Sequence, residues 1–326
     1  MSKELKGAYL RKKRKEAGLS QTELAKKVNE KFGTHIIDTR SISRWESSPT
    51  ATPLYNKLSK VAEILGLHVD ELYGGVGESN YDIISWNVNQ FCGPLNPKNM
   101  NKGEIKGRQN IYLLEVSGYI KMFLKNALNG IVILQEVPKE LYNDFLEELK
   151  GFKIIEPVYL NKSAHIYTIA IVNQQSNWRE VEMCESIFTE KADYRNRVVE
   201  VQCEDLKVMG VHMHSERTTL WDTVIEALEK YPVVIGDFNA HYNQHSSSKL
   251  KMELSTIINT GYLDLVPNDY VTFFPRSTTL DHVLISDEIY HNESKCEVVP
   301  KNYSDHAVIK ANIVVSSQNN VDSLPI

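Results

Sequence analysis

Two short polar strings border apolar runs near the end of the chain, and they constrain its fold more than any other feature. The string IGDFNA (residues 235–240) ends the β-branched run YPVVIG, and SDHAVI (residues 304–309) opens the run AVIKANIVV. Such runs predict buried strands, and polar side chains at strand ends can share a pocket that a rigid sheet holds in place. Carboxylate, amide and imidazole groups are suited to a hard divalent cation and an activated water. The pattern therefore indicates phosphoester hydrolysis.

Size and composition indicate a globular protein with more than one domain. The chain has 326 residues, 42% of them hydrophobic and 24% charged, which is ordinary for globular proteins and favours two domains. The sequence contains neither an apolar run of about 18 residues nor the apolar core of a secretory signal. Its scattered cysteines predict reduced thiols in a cytoplasm rather than disulfides or zinc sites; they are Cys92, Cys184, Cys203 and Cys296.

Charge is distributed unevenly along the chain. Residues 1–75 contain 14 Lys and Arg against 9 Asp and Glu, which gives a net charge of +5, whereas residues 76–326 have a net charge of -10. A basic small module joined to an acidic large one predicts that affinity for nucleic acid lies mainly in the first.

A glycine-rich string marks the expected domain boundary. GGVGESN, at residues 74–80, lacks apolar periodicity and predicts a linker. We expect a first domain at 1–75, a linker at 76–80, a second domain at 81–315 and a disordered tail at 316–326.

The second domain alternates strand patterns with a few amphipathic segments, which favours a mixed-sheet α/β sandwich over a doubly wound parallel sheet. The predicted strands are residues 81–88, 131–137, 166–172, 197–203, 207–214, 231–236, 280–286 and 307–315, and the predicted helices are 108–126, 138–149, 216–230 and 249–259.

The first domain is helical throughout. Ser20 and Glu23 form a capping-box pattern that opens the helix QTELAKKV, and TRSISRWE (residues 39–46) predicts a short helix. The strings LSQTELAKKV, ISRWE and LSKVAEILGLHVDELYG resemble the recurring motifs of the Xre, or Cro/lambda-repressor, helix-turn-helix family. The resemblance covers nearly all of residues 6–75.

This resemblance implies DNA as a partner. Residues 39–44 would enter the major groove. Thr39, Arg40 and Ser43 would lie near base edges, and Gln21 and Arg44 near phosphates. Some such folds bind proteins instead, and a homodimer on two half-sites stays open.

Polar residues recur at predicted strand ends throughout the second domain. In chain order they are Asn87, Glu136, His214, Asp237, Asn239, Asp281, Asp305 and His306. Together they resemble the endonuclease/exonuclease/phosphatase family, which includes deoxyribonuclease I-like enzymes, over about residues 81–315. The two resemblances imply an α+β chain in which a small all-α helix-turn-helix domain precedes a four-layer α/β sandwich with two mixed sheets.

The resemblance also implies a metal and its ligands. Glu136 and Asn87 would offer oxygen ligands to Mg²⁺ or Mn²⁺, which prefers few protein ligands, and Asp305 would join them. Asp237 would position or deprotonate the attacking water, and Asn239 would hold a phosphate oxygen.

The remaining candidates would contact the substrate or orient a side chain that does. His306 would contact the scissile phosphate, while Asp281 accepts its other N–H and fixes the tautomer. His214 would serve the leaving group or the phosphate. His212 faces the same side of the strand, and His214 is preferred because it ends the strand. Arg197 would bind substrate phosphate, although a surface ion pair at a strand edge is equally compatible with its position.

Three functions are compatible with this sequence. The first is a Mg²⁺- or Mn²⁺-dependent DNA endonuclease that its helix-turn-helix targets or regulates. The second is a phosphatase or phosphodiesterase acting on a small nucleotide, signalling or lipid phosphoester, and the third is a transcriptional regulator with a ligand-sensing hydrolase-like domain. The acidic second domain disfavours a free-standing nuclease, but tethering by a basic module compensates. We therefore favour the first function. We also expect a cytoplasmic protein of bacterial or phage origin.

Overall fold

The chain divides into two compact units, Met1–Ser79 with Val315–Ile326 and Asn80–Val314. A computed structural model describes residues 7–33, 36–48, 53, 55–67, 69–72, 78–127, 129–157, 164–182, 185–186, 195–204, 206–216, 219–241, 248–267 and 269–316.

The first unit is built from short capped helices. They are α1 (Gly7–Glu16), α2 (Gln21–Phe32), α3 (Thr39–Ser47) and α4 (Tyr55–Ile64), followed by a 3₁₀ turn at Val69–Leu72. The predicted capping box is confirmed, because the Ser20 side chain accepts from the Glu23 N–H and the Glu23 carboxylate accepts from the Ser20 N–H. Asp38 caps α3 by accepting from the Ser41 N–H at 2.7 Å.

A buried ion pair joins the ends of this unit's first three helices. Arg14 on α1 donates to both carboxylate oxygens of Glu46 on α3, at 2.6 and 2.9 Å. Gln21 at the start of α2 donates to Glu46 at 2.8 Å. Two-pronged Arg–carboxylate contacts fix orientation as well as distance. Glu46 therefore fixes the relative positions of α1, α2 and α3, which pack around a core that includes Ile42 and Trp45.

The second unit contains twelve strands and four α-helices among the residues described. The elements are β1 (Glu78–Asn87), α5 (Lys102–Asn126), β2 (Ile131–Pro138), α6 (Tyr142–Glu148), β3 (Phe152–Ile155), β4 (Ile166–Asn173), β5 (Arg179–Glu180), β6 (Val198–Cys203), β7 (Leu206–His212), α7 (Thr219–Glu226), β8 (Val233–Asp237), α8 (Ser248–Asn259), β9 (Tyr262–Asp264), β10 (Asp281–Ser286), β11 (Lys295–Val299) and β12 (Val308–Ser316).

The strands form two six-stranded mixed sheets. Their orders are β11-β12-β1-β2-β4-β3 and β5-β6-β7-β8-β10-β9, with β1–β2 and β7–β8 parallel. Apolar residues of α5 and α6 share a core with β1 and β2, and those of α7 and α8 share one with β7 and β8. The sheets face each other, since a Cβ at Gly210 of β7 would lie 2.5 Å from Ile133 of β2. The predicted four-layer α/β sandwich is confirmed.

Side-chain alternation decides which residues face the space between the sheets. In β1, Ile84 and Trp86 pack with the α5 side of the sheet. Neighbouring residues point to opposite faces of a strand, so Asn87 points toward the second sheet.

The structure corrects the predicted edges of the second domain. Strand β1 begins at Glu78, inside the predicted linker 76–80, and β12 ends at Ser316, inside the predicted tail. Residues 76–77 and 317–326 lie outside the described residues. Four strands, β3, β5, β9 and β11, were not predicted, because they are short and partly exposed and lack a long apolar run.

No helix within the described part of the chain combines the length and apolar character needed to cross a bilayer.

Candidate active site

Three adjacent strands of the second sheet carry polar side chains at paired positions, side by side across the sheet. His212 at the end of β7 is in register with Asp237 at the end of β8, and Asp237 is in register with Asp281 at the start of β10. All three side chains are almost fully buried. Register alone therefore brings together an imidazole and two carboxylates.

His306 joins this row from the segment that precedes β12. Its Nδ1 lies 2.8 Å from Asp281 Oδ2, and its Nε2 lies 3.9 Å from Asp237 Oδ2. The backbone of His306 is held by the Trp86 indole N–H, which donates to its carbonyl at 3.3 Å. The Phe273 ring packs against the imidazole with a centroid separation of 4.8 Å. These contacts leave the ring little freedom to turn.

Asn87 and Glu136 complete the cluster from the first sheet. The Asn87 amide nitrogen donates to Asp237 Oδ2 at 3.0 Å and to Glu136 Oε1 at 3.1 Å. Its Oδ1 accepts from the Asn89 N–H at 2.9 Å. The amide nitrogen thus bridges two carboxylates. A carbonyl oxygen has two lone pairs, so Oδ1 can still bind a cation, and the expectation that Asn87 is a metal ligand stays a prediction.

Glu136 reaches the cluster because β2 is irregular there. The pairing of β2 with β4 shifts register between Leu134 and Val137, and Glu136 has a φ of 56°. A bulge re-aims a side chain, and a left-handed non-glycine residue costs on the order of 1–3 kcal/mol. The fold tolerates this strain at a residue that faces the cluster.

The structure places His212, rather than the preferred His214, at the centre of the site. His212 Nε2 lies 3.5 Å from Glu136 Oε1 and 3.8 Å from Asp237 Oδ2. Strand β7 ends at His212, so His214 lies beyond the level at which the strands converge. Burial lowers the pKa of His212, and the Arg197 charge lowers it further. The lowered pKa of His212 favours its neutral form.

The electrostatics of the buried row favour a charged His306. Burial lowers the pKa of His306, but the Asp281 and Asp237 carboxylates outweigh burial and raise it well above its usual range. Burial also raises the pKa of Asp237, which the charge of His306 opposes. An imidazolium with one N–H on Asp281 can turn its second N–H toward a bound anion.

Glu136 and Asp305 are the two carboxylates best suited to hold a divalent cation. Burial raises the pKa of Asp305 to about 6; the charge of His306 opposes this rise and that of Glu136 adds to it. A carboxylate whose pKa is raised by a neighbouring negative charge is stabilised by a cation placed beside it. The oxygen donor set fits Mg²⁺ or Mn²⁺.

A second set of possible ligands lies deeper in the site. Atoms of Asp237, Asp281 and His306 all fall within 4.8 Å of one another. Within this set, His306 Nδ1 and Asp281 Oδ2 are already hydrogen-bonded to each other, and one of the three possible ligands is a nitrogen donor. Because hard divalent cations prefer oxygen ligands, the Glu136–Asp305 pair is the candidate metal-binding edge, and the deeper set is its hydrogen-bonded neighbour.

The other predicted residues surround the site. The Asn239 N–H donates to Asp237 Oδ1 at 2.8 Å, and the Asn239 side chain donates to the Met213 carbonyl at 3.0 Å. The backbone of Asn239 is left-handed, with a φ of 50°. Arg197 donates to the His212 carbonyl at 3.3 Å and is half-buried. Asn239 thus orients Asp237, while Arg197 places a positive charge beside both histidines.

Several supporting residues were not predicted. The Thr272 hydroxyl accepts from the Asp281 N–H at 3.0 Å, and the Ser304 hydroxyl donates to the Asn87 carbonyl at 2.6 Å. Gln90 donates to Glu136 at 3.4 Å from a turn with a left-handed backbone. Ser304 directly precedes the DH pair and could have been noticed; Thr272 and Gln90 give no comparable signal.

The predicted DNA-contacting residues lie together on the first unit. A surface depression of about 480 Å³ is lined by Gln21, Thr39, Arg40, Ser43, Arg44 and Ser47. The start of α2 and one face of α3 therefore form one continuous polar surface.

The chain combines a helix-turn-helix unit with a domain of the endonuclease/exonuclease/phosphatase fold. Residues 10–72 match the family model described as "Helix-turn-helix", and residues 201–310 match the one described as "Endonuclease-reverse transcriptase". Comparison with curated proteins gives no match to the chain.

Two solved structures with a TM-score of 0.50 support the same fold for the second unit. An endonuclease/exonuclease/phosphatase family protein from Bacteroides thetaiotaomicron is 15% identical, with a TM-score of 0.50, over 73% of this chain and 98% of that one. An endonuclease/exonuclease/phosphatase from Bacteroides vulgatus is also 15% identical, with a TM-score of 0.50, over 73% of this chain and 99% of that one. The endonuclease domain of TRAS1, a telomere-specific non-LTR retrotransposon, is 12% identical with a TM-score of 0.49, over 74% of this chain and 100% of that one.

Proposed function

We propose that the second unit is a divalent-metal-dependent phosphodiester hydrolase, and that the chain is a DNA endonuclease brought to DNA by its helix-turn-helix unit. The observation that carries this proposal is the convergence of both sheets on one cluster. Asn87 of the first sheet bonds to Asp237 of the second, and Asp281 holds His306 beside them. The cluster offers a carboxylate base, an imidazolium that can bind phosphate, and carboxylates that can bind a metal.

Each residue of the cluster has its own role in the proposed hydrolysis. Asp237, oriented by Asn87 and the Asn239 N–H, accepts the proton of a water that attacks phosphorus. His306, held by Asp281, donates its Nε2–H to a phosphoryl oxygen as negative charge builds up there. Glu136 and Asp305 would hold Mg²⁺ or Mn²⁺, which supplies Lewis-acid stabilisation of the phosphoryl group when bound. The P–O bond to the leaving group then breaks, its electron pair stays on the leaving oxygen, and that oxygen takes up a proton from solvent.

We also propose a role for His212 at this site, and the role expected of His214 stays a prediction. Its Nε2 faces Glu136 and Asp237, so a neutral ring can donate one hydrogen bond to these carboxylates or to a substrate oxygen. Arg197 supports phosphate binding through its charge beside this ring.

A plasmid-nicking assay tests the proposal. With Mg²⁺ or Mn²⁺, the purified protein should convert supercoiled DNA to the nicked form, while Asp237→Asn and His306→Gln should lose at least about 100-fold in rate, the scale of acid–base catalysis. Asp287→Asn is a matched control, because Asp287 is an exposed carboxylate just beyond the opposite end of β10. Intact plasmid with the wild-type protein would contradict the nuclease assignment.

The charge distribution favours one alternative substrate class. The net charge of -10 over residues 76–326 disfavours a long polyanion and suits a small nucleotide, signalling or lipid phosphoester. If DNA stays intact but p-nitrophenyl phosphate or bis(p-nitrophenyl) phosphate is hydrolysed, this second function replaces the first.

A further inference from the structure

Two tyrosines near opposite ends of β10 are unusually exposed. Tyr270 is 46% exposed and Tyr290 is 40% exposed, and no other aromatic side chain stands among the exposed large hydrophobic residues of the described chain. Tyr270 precedes the end of β10 that begins with Asp281, whereas Tyr290 follows the end at Ser286. Only Tyr270 therefore lies at the end of the strand that carries the proposed chemistry.

The backbone of Tyr270 is fixed on both sides. Its N–H donates to the Pro267 carbonyl at 3.0 Å, and its carbonyl accepts from the Thr279 hydroxyl. A turn follows in which Phe273 and Thr278 exchange backbone hydrogen bonds. The backbone of the residue that carries the exposed ring is thus hydrogen-bonded through both its N–H and its carbonyl, so a ligand that stacks on the ring loses little entropy by ordering that backbone.

The same loop supports the catalytic residues directly. Two residues after Tyr270, the Thr272 hydroxyl accepts from the Asp281 N–H, and the Phe273 ring packs on His306. Tyr270 and Phe273 are three positions apart, so the chain between them spans at most about 11 Å. With a rise of about 3.4 Å per nucleotide, the Tyr270 ring lies within a few nucleotides of a phosphate bound at His306. Val271, which is 37% exposed, extends the apolar surface beside the ring.

We propose that Tyr270 is a stacking subsite for an unpaired base, which makes single-stranded or frayed DNA the preferred substrate of the site. Aromatic rings stack on every base, because each base has a π-face. The occupant follows from the neighbouring chemistry: a phosphodiester bound at His306 carries substituents that extend toward the rim, and in a nucleic acid these include planar bases. The role of Tyr270 rests on the proposed function, since it requires hydrolysis at that cluster.

The test compares Tyr270→Ala, Tyr270→Trp and the matched control Tyr290→Ala on a single-stranded oligodeoxynucleotide with Mn²⁺. Tyr270→Ala should raise KM about 10-fold or more, within the range measured for base–aromatic stacking, with a much smaller change in kcat. Tyr270→Trp should restore KM, and Tyr290→Ala should leave both constants unchanged. Thermal unfolding of each variant verifies that the fold is intact.

A second substrate separates stacking from other effects. In an oligonucleotide whose central nucleotides are abasic tetrahydrofuran units, wild type and Tyr270→Ala should have the same KM, because no base is available to stack. Equal KM values on the normal oligonucleotide would overturn the role of Tyr270 while leaving the nuclease assignment intact. A wild-type protein that cleaves no DNA would overturn both. A KM penalty that persists on the abasic substrate would show that Tyr270 acts through the backbone or the fold, and would also overturn the subsite.

Discussion

Asp281 illustrates how much of the proposed activity depends on single hydrogen bonds. Its carboxylate lies 2.8 Å from His306 Nδ1, and both side chains are buried. Asp281 acts through His306, so we treat it as a positioning residue. Replacing it by an isosteric amide removes the charge that keeps the imidazole protonated and correctly oriented.

Asp281→Asn should therefore lower kcat by about 10²- to 10⁴-fold, the range of acid–base catalysis, with a smaller change in KM. Hydrolysis kinetics on an oligonucleotide, with Asp287→Asn as the control, measure this effect. A change confined to KM would show that Asp281 serves substrate binding instead.

His282 is a second buried histidine, and its contacts predict that the stability of the fold depends on pH. His282 Nδ1 lies 2.6 Å from Asp264 Oδ2 and its Nε2 lies 2.8 Å from the Ala240 carbonyl, so both nitrogens face acceptors. Burial alone would lower the pKa of His282, but Asp264 and the Ala240 carbonyl outweigh burial and raise it. The folded state thus binds a proton that the unfolded chain, with a His pKa of about 6.5, releases more readily.

The contribution of His282 to stability should be complete below about pH 6.5 and should disappear as pH rises through the raised pKa of the folded state. His282→Gln should cost about 3 kcal/mol at low pH, because it leaves the Asp264 charge buried without its partner. Unfolding free energies of the two proteins between pH 5.5 and 9 test this. A cost that is constant or increases with pH would contradict a protonated His282.

At the residue scale, the sequence could indicate which side chains lie together better than it could predict their contacts. Asp237, Asp281 and His306 could be identified because they adjoin apolar strands. The orientation of Asn87 could not, because it depends on a contact with Asp237, 150 positions away. The choice between His212 and His214 depended on where β7 ends, and strand ends are the least certain feature of a pattern.

The bulge in β2 strains the backbone at Glu136 and directs the Glu136 side chain to the site. Glu136 adopts a left-handed backbone conformation at the register shift and places its charge near Asp305. Glycine accepts this φ without the steric cost that any Cβ incurs.

Glu136→Gly and Glu136→Ala should both lose hydrolysis, because both lack the carboxylate. The glycine variant should be more stable than the alanine variant by about 1 kcal/mol, since only alanine keeps the strain. Chemical denaturation without divalent metal measures the difference. An alanine variant as stable as the glycine variant would show that the backbone at residue 136 is unstrained or that it relaxes.

At the element scale, hydrophobic patterning located the long buried strands and missed the short ones. Strands such as β2 and β10 carry continuous apolar runs, which make them recognisable. Strand β5 has two exposed residues, and its place in the sheet comes from pairing with β6 rather than from its own composition. Local sequence cannot encode such an element.

The whole molecule joins a basic helix-turn-helix unit to an acidic unit with the endonuclease/exonuclease/phosphatase fold. The charge asymmetry was readable from the sequence, and so was the order of the two folds. What the sequence alone could not provide is the register that brings His212, Asp237 and Asp281 into one row, because register arises from the packing of whole sheets.

Arg40→Ala and Arg44→Ala in the full-length protein should weaken binding to duplex DNA and reduce the salt dependence of the affinity by about one counterion per lost phosphate contact. Fluorescence anisotropy without divalent metal, over a range of salt concentrations, measures both quantities. Lys31→Ala is the matched control, because Lys31 pairs with Glu63 at 2.8 Å and does not line the depression on the first unit. Equal affinities for all proteins would indicate that this unit binds another partner.

The central claim is that Glu136 and Asp305 bind a divalent cation beside the Asp237–His306 pair. Anomalous diffraction from crystals soaked in Mn²⁺ tests it most directly. We predict one strong peak about 2.0–2.4 Å from carboxylate oxygens of both Glu136 and Asp305, at distances normal for such ions. A peak enclosed by Asp237, Asp281 and His306, or no peak within this cluster, would contradict it.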